Sequence, residues 1–533
     1  MNCKVRSECS AEEVYKCVTD TWLKYFPSQL LPTLPEFTVV SSAADWSPLD
    51  STVVADAASY LQHLVIMAID KCRNRKLILC PALFEQLYCQ TFPAKSDSTH
   101  YRPLGMKEPA LVTHIREVYD TEQWWRFGSW YGTGRMPTPY PMYKLKDLLV
   151  RCSEVFAKKG KCCRCRPILP NSSHWMRRVF RRVGSVLRLV VASIPDSAIT
   201  MMKTVDLVKV VSEWGDTVEP GAKCAKWTGD ISNCYDELQH THILQAVQWA
   251  LAQLKVWLGR RHVKTFSVNK TNRKDVRVIR VYDDDFVTFE VQDILKVCAF
   301  DITHCACNIN GELYVRVLGV PMGGFLSAFY AVLVMAHVEA TKVDVLFTNL
   351  GMPGGIKRYL DDVLIGVMYR TAAELQQAQT MVNAIADSKV YPAPLCLNME
   401  PEGDQEFLEA FVHGNNAVGV RLLNKVADDV LAGNEGYRQR LAGPGFMSGK
   451  EVQALIAGII TRAVQCSLRP TDLFYAMVQL QVEVTAAWVG LHHLRRAAFQ
   501  RVKRMERLST EPWRDAVRSS VILWEAVRVK GHL

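Results

Sequence analysis

Two adjacent aspartates, Asp361 and Asp362, interrupt a stretch that otherwise has the character of two β-strands. Residues 357–360 precede the pair, an apolar, β-branched run at 363–367 follows it, and Gly354–Gly355 supplies a turn upstream. The pattern predicts a β-hairpin with carboxylates at its tip. Adjacent carboxylates repel each other unless a cation meets them, and hard cations such as Mg²⁺ prefer oxygen ligands. Taken alone, the pair is explained equally well by a solvated acidic turn.

A second acidic segment lies upstream, where Asp230 ends a strand-like stretch and Asp236 begins a helical one. Two metal ions about 3.5–4 Å apart need carboxylates from more than one chain segment. Asp230 together with Asp361 and Asp362 supplies them, and we include Ile231, next to Asp230, in the expected metal site. Between the two segments, glycines at 319–324 allow close approach of the backbone to a ligand, and a buried helix is expected after them.

The order of these three segments resembles the palm of reverse transcriptases. Residues 230–236 resemble motif A, residues 319–331 resemble motif B, and the Tyr-x-Asp-Asp sequence at 359–362 resembles motif C. Each segment is a weak signal by itself, whereas their order and spacing together are a strong one. Within the superfamily, the chain most resembles Penelope-like retroelements, the relatives of telomerase. Met322 stands where most reverse transcriptases have glutamine, a departure familiar in that group.

The resemblance covers roughly residues 150–510 and implies an α+β right-hand polymerase. It places the fingers at 151–215, a palm with the catalytic motifs at 216–420, and a helical thumb with a C-terminal tail at 421–533. Residues 1–150 show no family resemblance. Apolar residues at helical spacing within 53–69 favour a separate, mostly helical N-terminal region. A chain of 533 residues is in any case too long for a single core.

The resemblance also implies which residues contact the incoming nucleotide. Arg166 matches a fingers position that contacts the triphosphate, and Lys161 is a second cation on the same predicted strand. Tyr235 matches the aromatic residue beneath the sugar, where it would exclude a 2′-hydroxyl and select deoxynucleotides. A core tyrosine is the alternative at that position. The backbone at Gly323 and Gly324 would accommodate the template base and the nucleotide.

Basic segments favour contacts with primer and template. Arg177 and Arg178 begin a predicted basic amphipathic helix, Arg495 and Arg496 lie in the predicted thumb, and Tyr359 is assigned to the same surface from its place beside the acidic pair. Solvated helix faces explain the arginines equally well. The formal net charge of +10 suits a polyanionic partner and is also compatible with an ordinary basic protein.

These features predict a retroelement-derived RNA-directed DNA polymerase. It would add deoxynucleotides to a DNA primer on an RNA template, forming an RNA–DNA duplex, with two Mg²⁺ ions or Mn²⁺ in their place. Two alternatives stay open: an RNA-dependent RNA polymerase, and a catalytically silent, domesticated nucleic-acid-binding protein. The sequence does not determine the oligomeric state.

The cysteines and the apolar runs bear on the compartment. Seventeen cysteines without paired zinc spacings favour a reducing, intracellular environment. A retroelement origin favours the nucleus, and an organelle stays open. The longest apolar run is too short to span a bilayer, so no membrane partner is expected.

Overall fold

The computed structural model describes most of the chain from residue 59 onward. The described residues are 59, 62–70, 72–92, 100–144, 165–195, 198–201, 203–216, 221–350, 353–387, 390–391, 393–416, 418–431, 448–487 and 491–529. Lys161, predicted to contact the nucleotide, lies outside them. None of the helices within these ranges combines the length and apolar character needed to cross a bilayer.

One sheet joins the N-terminal region to the predicted fingers. Up to residue 216 the elements are β1 (Val65–Ile69), β2 (Cys72–Leu79), α1 (Pro81–Thr91), β3 (Tyr101–Pro103), α2 (Glu108–Thr121), β4 (Tyr140–Tyr143), β5 (Cys165–Ile168), α3 (Arg177–Ala192) and α4 (Asp206–Asp216). Four of these strands lie in the order β2-β1-β4-β5. The sheet therefore crosses the boundary predicted at residue 150, because β4 pairs antiparallel with β5.

The helical spacing of apolar residues predicts a helix through residues 65–69, but these residues form the strand β1. The prediction of a helix is wrong for this segment. A short apolar run is compatible with the spacing of either a helix or a strand, so the segments that pair with it determine its secondary structure. Here β2 pairs antiparallel with β1 over its length, and Ile69 also pairs with Tyr143 of β4. The basic helix predicted near residue 177 is present as α3, with Val183 and Leu187 fully buried on its apolar face.

The central sheet of the palm carries both acidic segments. The elements of this part are β6 (Lys223–Ser232), α5 (His240–Trp257), β7 (Thr265–Asn269), β8 (Val276–Arg277), β9 (Phe286–Glu290), α6 (Val291–Thr303), β10 (Ala306–Ile309), β11 (Glu312–Arg316), α7 (Ser327–Leu350), β12 (Gly354–Tyr359), β13 (Asp362–Tyr369), α8 (Ala372–Asp387) and β14 (Cys396–Met399). The order β12-β13-β6-β14 is antiparallel throughout. The predicted hairpin is present, with a two-residue turn between β12 and β13.

The C-terminal part forms a small sheet and a helical bundle with its own core. Its elements are β15 (Gln405–Phe407), β16 (Ala410–His413), β17 (Gly419–Leu422), α9 (Lys425–Leu431), α10 (Gly449–Gln465), α11 (Pro470–Ala486), α12 (Leu491–Arg504) and α13 (Glu511–Val529). Ile456, Phe474, Met477 and Leu494 are buried together where α10, α11 and α12 meet.

Alternating side chains bury the central sheet on both faces. On β13, Ile365 packs into the core shared with α5 and α7, whereas Leu364 packs into the core shared with α4 and β16. A sheet covered on both faces exposes only the ends of its strands. Asp230 is exposed at such an end, two residues before the end of β6, so this end of the sheet is the place where a ligand can reach the acidic residues.

Candidate active site at the ends of the central strands

The structure brings the predicted carboxylates from two distant segments together. Asp230 on β6 lies directly opposite Asp362 on β13, and the Ile231 amide donates a hydrogen bond to the Asp361 carbonyl oxygen (2.8 Å). Directly opposed residues of an antiparallel pair point to the same face, with Cβ atoms about 4.5–5.5 Å apart. The Ile231 side chain is buried in the core, so only its backbone carbonyl could serve a cation.

The buried thiol of Cys234 lies beside two of these carboxylates. Burial raises its pKa to about 12, and the negative charges of Asp361 and Asp230 push the pKa in the same direction. The thiol of Cys234 is therefore close enough to both acidic segments for the charge of each to raise its pKa. This electrostatic relationship agrees with the strand register in placing the carboxylates at one site.

The carboxylates have the chemistry that a hard cation requires, since oxygen ligands on rigid strands suit Mg²⁺ or Mn²⁺. In the described ranges, however, no three His, Cys, Asp or Glu side chains are grouped as a metal-binding cluster. The residues fit the predicted cation in type and in placement on the sheet, and metal binding itself stays a prediction.

The turn that presents the first aspartate of the pair is held by a buried arginine. Leu360, the first turn residue, has φ of 53°, which is uncommon for a side chain of its size. The Arg358 guanidinium donates to the Leu360 carbonyl oxygen (2.8 Å), to Thr200 Oγ1 (2.7 Å) and to Glu339 Oε2 (3.0 Å). Tyr391 donates its hydroxyl to Glu339 Oε1 (3.0 Å).

Sequence reasoning missed Arg358 and Glu339, both of which are buried. A signal existed in each case: Arg358 lies within a strand, and Glu339 interrupts the apolar side of α7. Fully buried charges rarely occur without a partner, so each isolated charge indicated another one nearby. The pairing could not be predicted because nothing in the local pattern of one segment specifies the other.

Arg166, predicted to contact the incoming nucleotide, lies on β5 and has a partner from the N-terminal region. Its Nε donates to Asp70 Oδ2 (2.8 Å), immediately after β1. Just after β5, the Leu169 amide donates a hydrogen bond to the Met322 carbonyl oxygen (2.8 Å), so the end of this strand contacts the glycine-rich loop at residues 319–324. No sequence signal pointed to Asp70, which directly follows β1 in a region without family resemblance.

Gly323 and Gly324, predicted to approach a ligand closely, lie close to other atoms of the protein, and their approach to a ligand stays a prediction. Gly323 has φ of +114°, and a Cβ there would lie 2.5 Å from the Leu169 carbonyl oxygen. A Cβ on Gly324 would lie 2.3 Å from Ser327 Oγ. A side chain at position 323 would push the motif B loop away from the end of β5, whereas one at position 324 would clash within the loop itself. Gly323 therefore allows the strand that carries Arg166 to pack against this loop.

Tyr235 is within electrostatic reach of both Asp361 and Arg166. Burial raises its pKa, the negative charges of Cys234 and Asp361 act in the same direction, and the positive charge of Arg166 opposes them. Its ring also packs against the main core, and the Val320 amide donates to its carbonyl oxygen (2.7 Å). The residue thus has the partial burial expected of a core tyrosine together with a place in the candidate site.

The predicted primer and template residues are not all gathered at this site. Tyr359 pairs with Asp362 and is half-buried against the core that includes α4. The Arg177 guanidinium stacks 3.4 Å from the Tyr131 ring centroid, and Arg178 hydrogen-bonds Ser129. Both arginines therefore support a loop of their own chain.

Arg495 and Arg496 are exposed on α12. That helix packs mainly on α10 of the C-terminal bundle. Their predicted contact with primer or template stays a prediction.

Comparison with known proteins supports the fold. No protein-family model and no curated protein sequence matches this chain. Telomerase from Candida tropicalis in complex with a fragment of telomeric RNA is similar in structure with a TM-score of 0.50 at 10% identity, over 88% of this chain and 68% of that chain. Apo telomerase from the same species, truncated from the C-terminal domain, gives a TM-score of 0.43 at 12% identity, over 67% of this chain and 63% of that chain.

A viral polymerase is a more distant match. The RNA-dependent RNA polymerase of BmCPV at its elongation state has a TM-score of 0.35 at 11% identity, over 71% of this chain and 33% of that chain. This chain thus spans less than two thirds of the truncated telomerase and one third of the viral enzyme. The chain has a reverse-transcriptase-like right-hand polymerase fold, and the predicted α+β class is confirmed.

Proposed function

We propose that this chain is an RNA-directed DNA polymerase that extends a DNA primer on an RNA template. The observation that carries the proposal is the register of the central sheet, which sets Asp230 opposite Asp362 and beside the turn residue Asp361. Sequence-distant carboxylates meet at one end of the sheet, and the half-buried Tyr235 is within electrostatic reach of both Asp361 and Arg166. This arrangement suits metal-assisted transfer of a nucleotide.

Each residue of the site has a separate task in this mechanism. Asp230, Asp361 and Asp362 would hold two Mg²⁺ ions, with the Ile231 carbonyl as the additional oxygen. The ions would supply activation of the primer 3′-hydroxyl and stabilisation of the leaving pyrophosphate. Arg166 binds triphosphate oxygens through its planar fork. Tyr235 lies under the sugar and leaves no room for a 2′-hydroxyl, which makes DNA the product.

Several finer assignments belong to the same proposal. We keep the predicted division into fingers, palm and thumb, with one change: the β2-β1-β4-β5 sheet favours a contribution of the N-terminal region to the fingers. Met322 in motif B supports a Penelope-like, retroelement-derived enzyme, for which the nucleus is the expected compartment. The partners are an RNA template, a DNA primer, their duplex and deoxynucleoside triphosphates.

The test is primer extension on RNA and DNA templates with deoxynucleotides and ribonucleotides supplied separately. The full chain should extend with deoxynucleotides on RNA, and Asp230→Ala and Asp361→Ala should each abolish extension while duplex binding persists. Asp283→Ala, at an exposed acidic position between β8 and β9, is the matched control and should retain activity. Extension with ribonucleotides alone would make the chain an RNA polymerase, and binding without any extension would make it a silent nucleic-acid-binding protein.

A further inference from the structure

A buried arginine, Arg316, hydrogen-bonds to Asp236 in the segment that follows β6. It ends β11 and is only 2% exposed. Its Nη2 donates to Asp236 Oδ1 (2.8 Å), its Nε to the Leu318 carbonyl oxygen (2.9 Å), and its Nη1 to the Tyr101 hydroxyl (3.3 Å). Asp236 directly follows Tyr235, so the arginine holds the neighbour of the tyrosine assigned to sugar selection.

The loop after Arg316 packs on the same turn through its backbone. The Gly319 amide donates to the Leu238 carbonyl oxygen (2.8 Å), and the Val320 amide donates to the Tyr235 carbonyl oxygen (2.7 Å). His240 Nε2 donates to the Gly319 carbonyl oxygen (3.0 Å). Gly319 has φ of +73°, and a Cβ there would lie 2.1 Å from the Asp236 carbonyl oxygen. Two backbone segments are therefore in direct contact, with Tyr235 in one of them.

The ion pair is poorly explained by stability alone. Removing two charges from water costs about as much as their attraction returns, so a buried pair is weak evidence of a stabilising role and is better attested as a device that fixes one geometry. Burial works against the charge on Arg316, but its electrostatic interactions with Tyr101 and Asp236 and its hydrogen bond to Asp236 keep its pKa above the ordinary value. The guanidinium therefore stays charged beside Asp236.

These contacts fix the backbone around Tyr235, whose assigned role in sugar selection depends on the exact position of its ring. Tyr235 is half-buried, and its backbone is fixed from one side by Val320 and from the other by Asp236 through Arg316. Exclusion of a hydroxyl by a ring is a steric effect, and a displacement of about 1 Å in an enzyme site is enough to change rates strongly. The carboxylates are held separately, through β13 and Arg358.

We propose that Arg316 and Asp236 form a positioning pair that sets the discrimination between deoxyribose and ribose by fixing the ring of Tyr235. The inference rests on the proposed polymerase function and adds to it a specificity role for a residue outside the three motifs. Neither member of the pair touches the substrate. Their effect passes through the Tyr235 turn, and metal-dependent chemistry at Asp230 and Asp361 does not require them.

The test compares incorporation of one nucleotide from dGTP and from GTP on an RNA template, in the parent, Arg316→Lys, Asp236→Asn and the double variant. Both substitutions roughly keep the size of the side chain. Arg316→Lys loses the planar guanidinium that bonds Asp236, Leu318 and Tyr101 together, and Asp236→Asn loses the negative charge. The ratio of kcat/KM for dGTP over GTP should fall about tenfold in each single variant. The ratio in the double variant should be no lower than in the single variants, because the two residues act as one unit. The dependence on Mg²⁺ concentration should stay as in the parent.

Two controls make the outcome decisive. Tyr235→Ala removes the ring and defines the full loss of discrimination. Arg277→Gln breaks an exposed Arg277–Asp275 pair (3.2 Å) and should leave the ratio unchanged. Affinities for dGTP and GTP measured with Ca²⁺ in place of Mg²⁺ give the same ratio without turnover.

The failures of the two proposals are distinguishable. Ratios within about twofold of the parent in both single variants, while Tyr235→Ala loses discrimination, overturn the positioning role and leave the polymerase intact. An unchanged ratio in Tyr235→Ala overturns the role as well, because the ring would then not select the sugar. A parent that neither extends a primer nor binds dGTP overturns the proposed function, and the inference with it.

Discussion

Arg358 and Glu339 form a buried ion pair directly behind the turn that carries Asp361. Nη2 of Arg358 lies 3.0 Å from Glu339 Oε2, Nε binds the other carboxylate oxygen, and both residues are at most 2% exposed. The same guanidinium donates to the Leu360 carbonyl oxygen. The long helix α7 and the β12–β13 hairpin are thus joined by one residue pair, which fixes the turn that carries Asp361 to the protein core.

Loss of Arg358 should destabilise the fold strongly. Arg358→Met leaves Glu339 charged and buried without its main partner, which we expect to lower the free energy of unfolding by about 3–5 kcal/mol. Urea denaturation measures the change. Arg280→Met is the control, since Arg280 and Glu290 form an exposed pair (3.3 Å) worth less than about 1 kcal/mol. Equal losses in the two variants would contradict a structural role for the buried pair.

Arg166 should contribute to nucleotide binding more than to the chemical step. Arg166→Gln removes a charged hydrogen-bond donor from the edge of the site, and we expect KM for deoxynucleotides to rise about tenfold or more. Steady-state primer extension measures KM and kcat separately. Arg116→Gln, which breaks an exposed pair with Asp120 (2.8 Å), should leave both unchanged. An unaltered KM in Arg166→Gln would rule out the assigned contact with the triphosphate.

Gly319 should tolerate alanine far less well than a glycine of similar backbone conformation. Gly319 and Gly311 both have positive φ, +73° and +90°, but a Cβ at Gly311 meets nothing within 4 Å. Gly311→Ala should cost only the conformational penalty, about 1–2 kcal/mol. Gly319→Ala adds a clash with the Asp236 carbonyl oxygen and should cost clearly more. Thermal or urea unfolding compares the two, and equal costs would show that the loop relaxes freely.

Asp301 should make the stability fall as the pH rises through the acidic range. Burial raises its pKa from 3.8 to about 7, and the buried Tyr330 hydroxyl donates to it (3.1 Å). Between these two pKa values the folded state binds a proton that the unfolded state has released, so stability from this group is full below pH 3.8 and is lost as pH rises to about 7.

The matching measurement compares the parent with Asp301→Asn. Asparagine cannot ionise, so the variant should lose less stability than the parent between about pH 5 and pH 8. Urea unfolding at the two pH values gives the difference. Asp120→Asn, at an exposed position, should follow the parent. Parallel pH dependence of Asp301→Asn and the parent would show that the carboxyl is solvated in the folded state.

The sequence by itself determined the local elements and the residue types of the candidate site. The hairpin at residues 354–369, the strand ending near Asp230 and the basic helix α3 follow from short-range patterns of apolar residues, turns and charges. The order of three short segments was enough to indicate a polymerase palm. Those features are encoded within a few residues of chain, which is why a single sequence reveals them.

Only the tertiary structure decided the partners of the buried charges and the strand order of the N-terminal sheet. Asp70 meets Arg166, Asp236 meets Arg316, and Glu339 meets Arg358. In each case the two residues belong to different segments of the chain, and the residue pattern of one segment does not identify its partner in the other. β1 became a strand for the same reason: a short apolar run has no fixed structure until β2 and β4 satisfy its backbone hydrogen bonds.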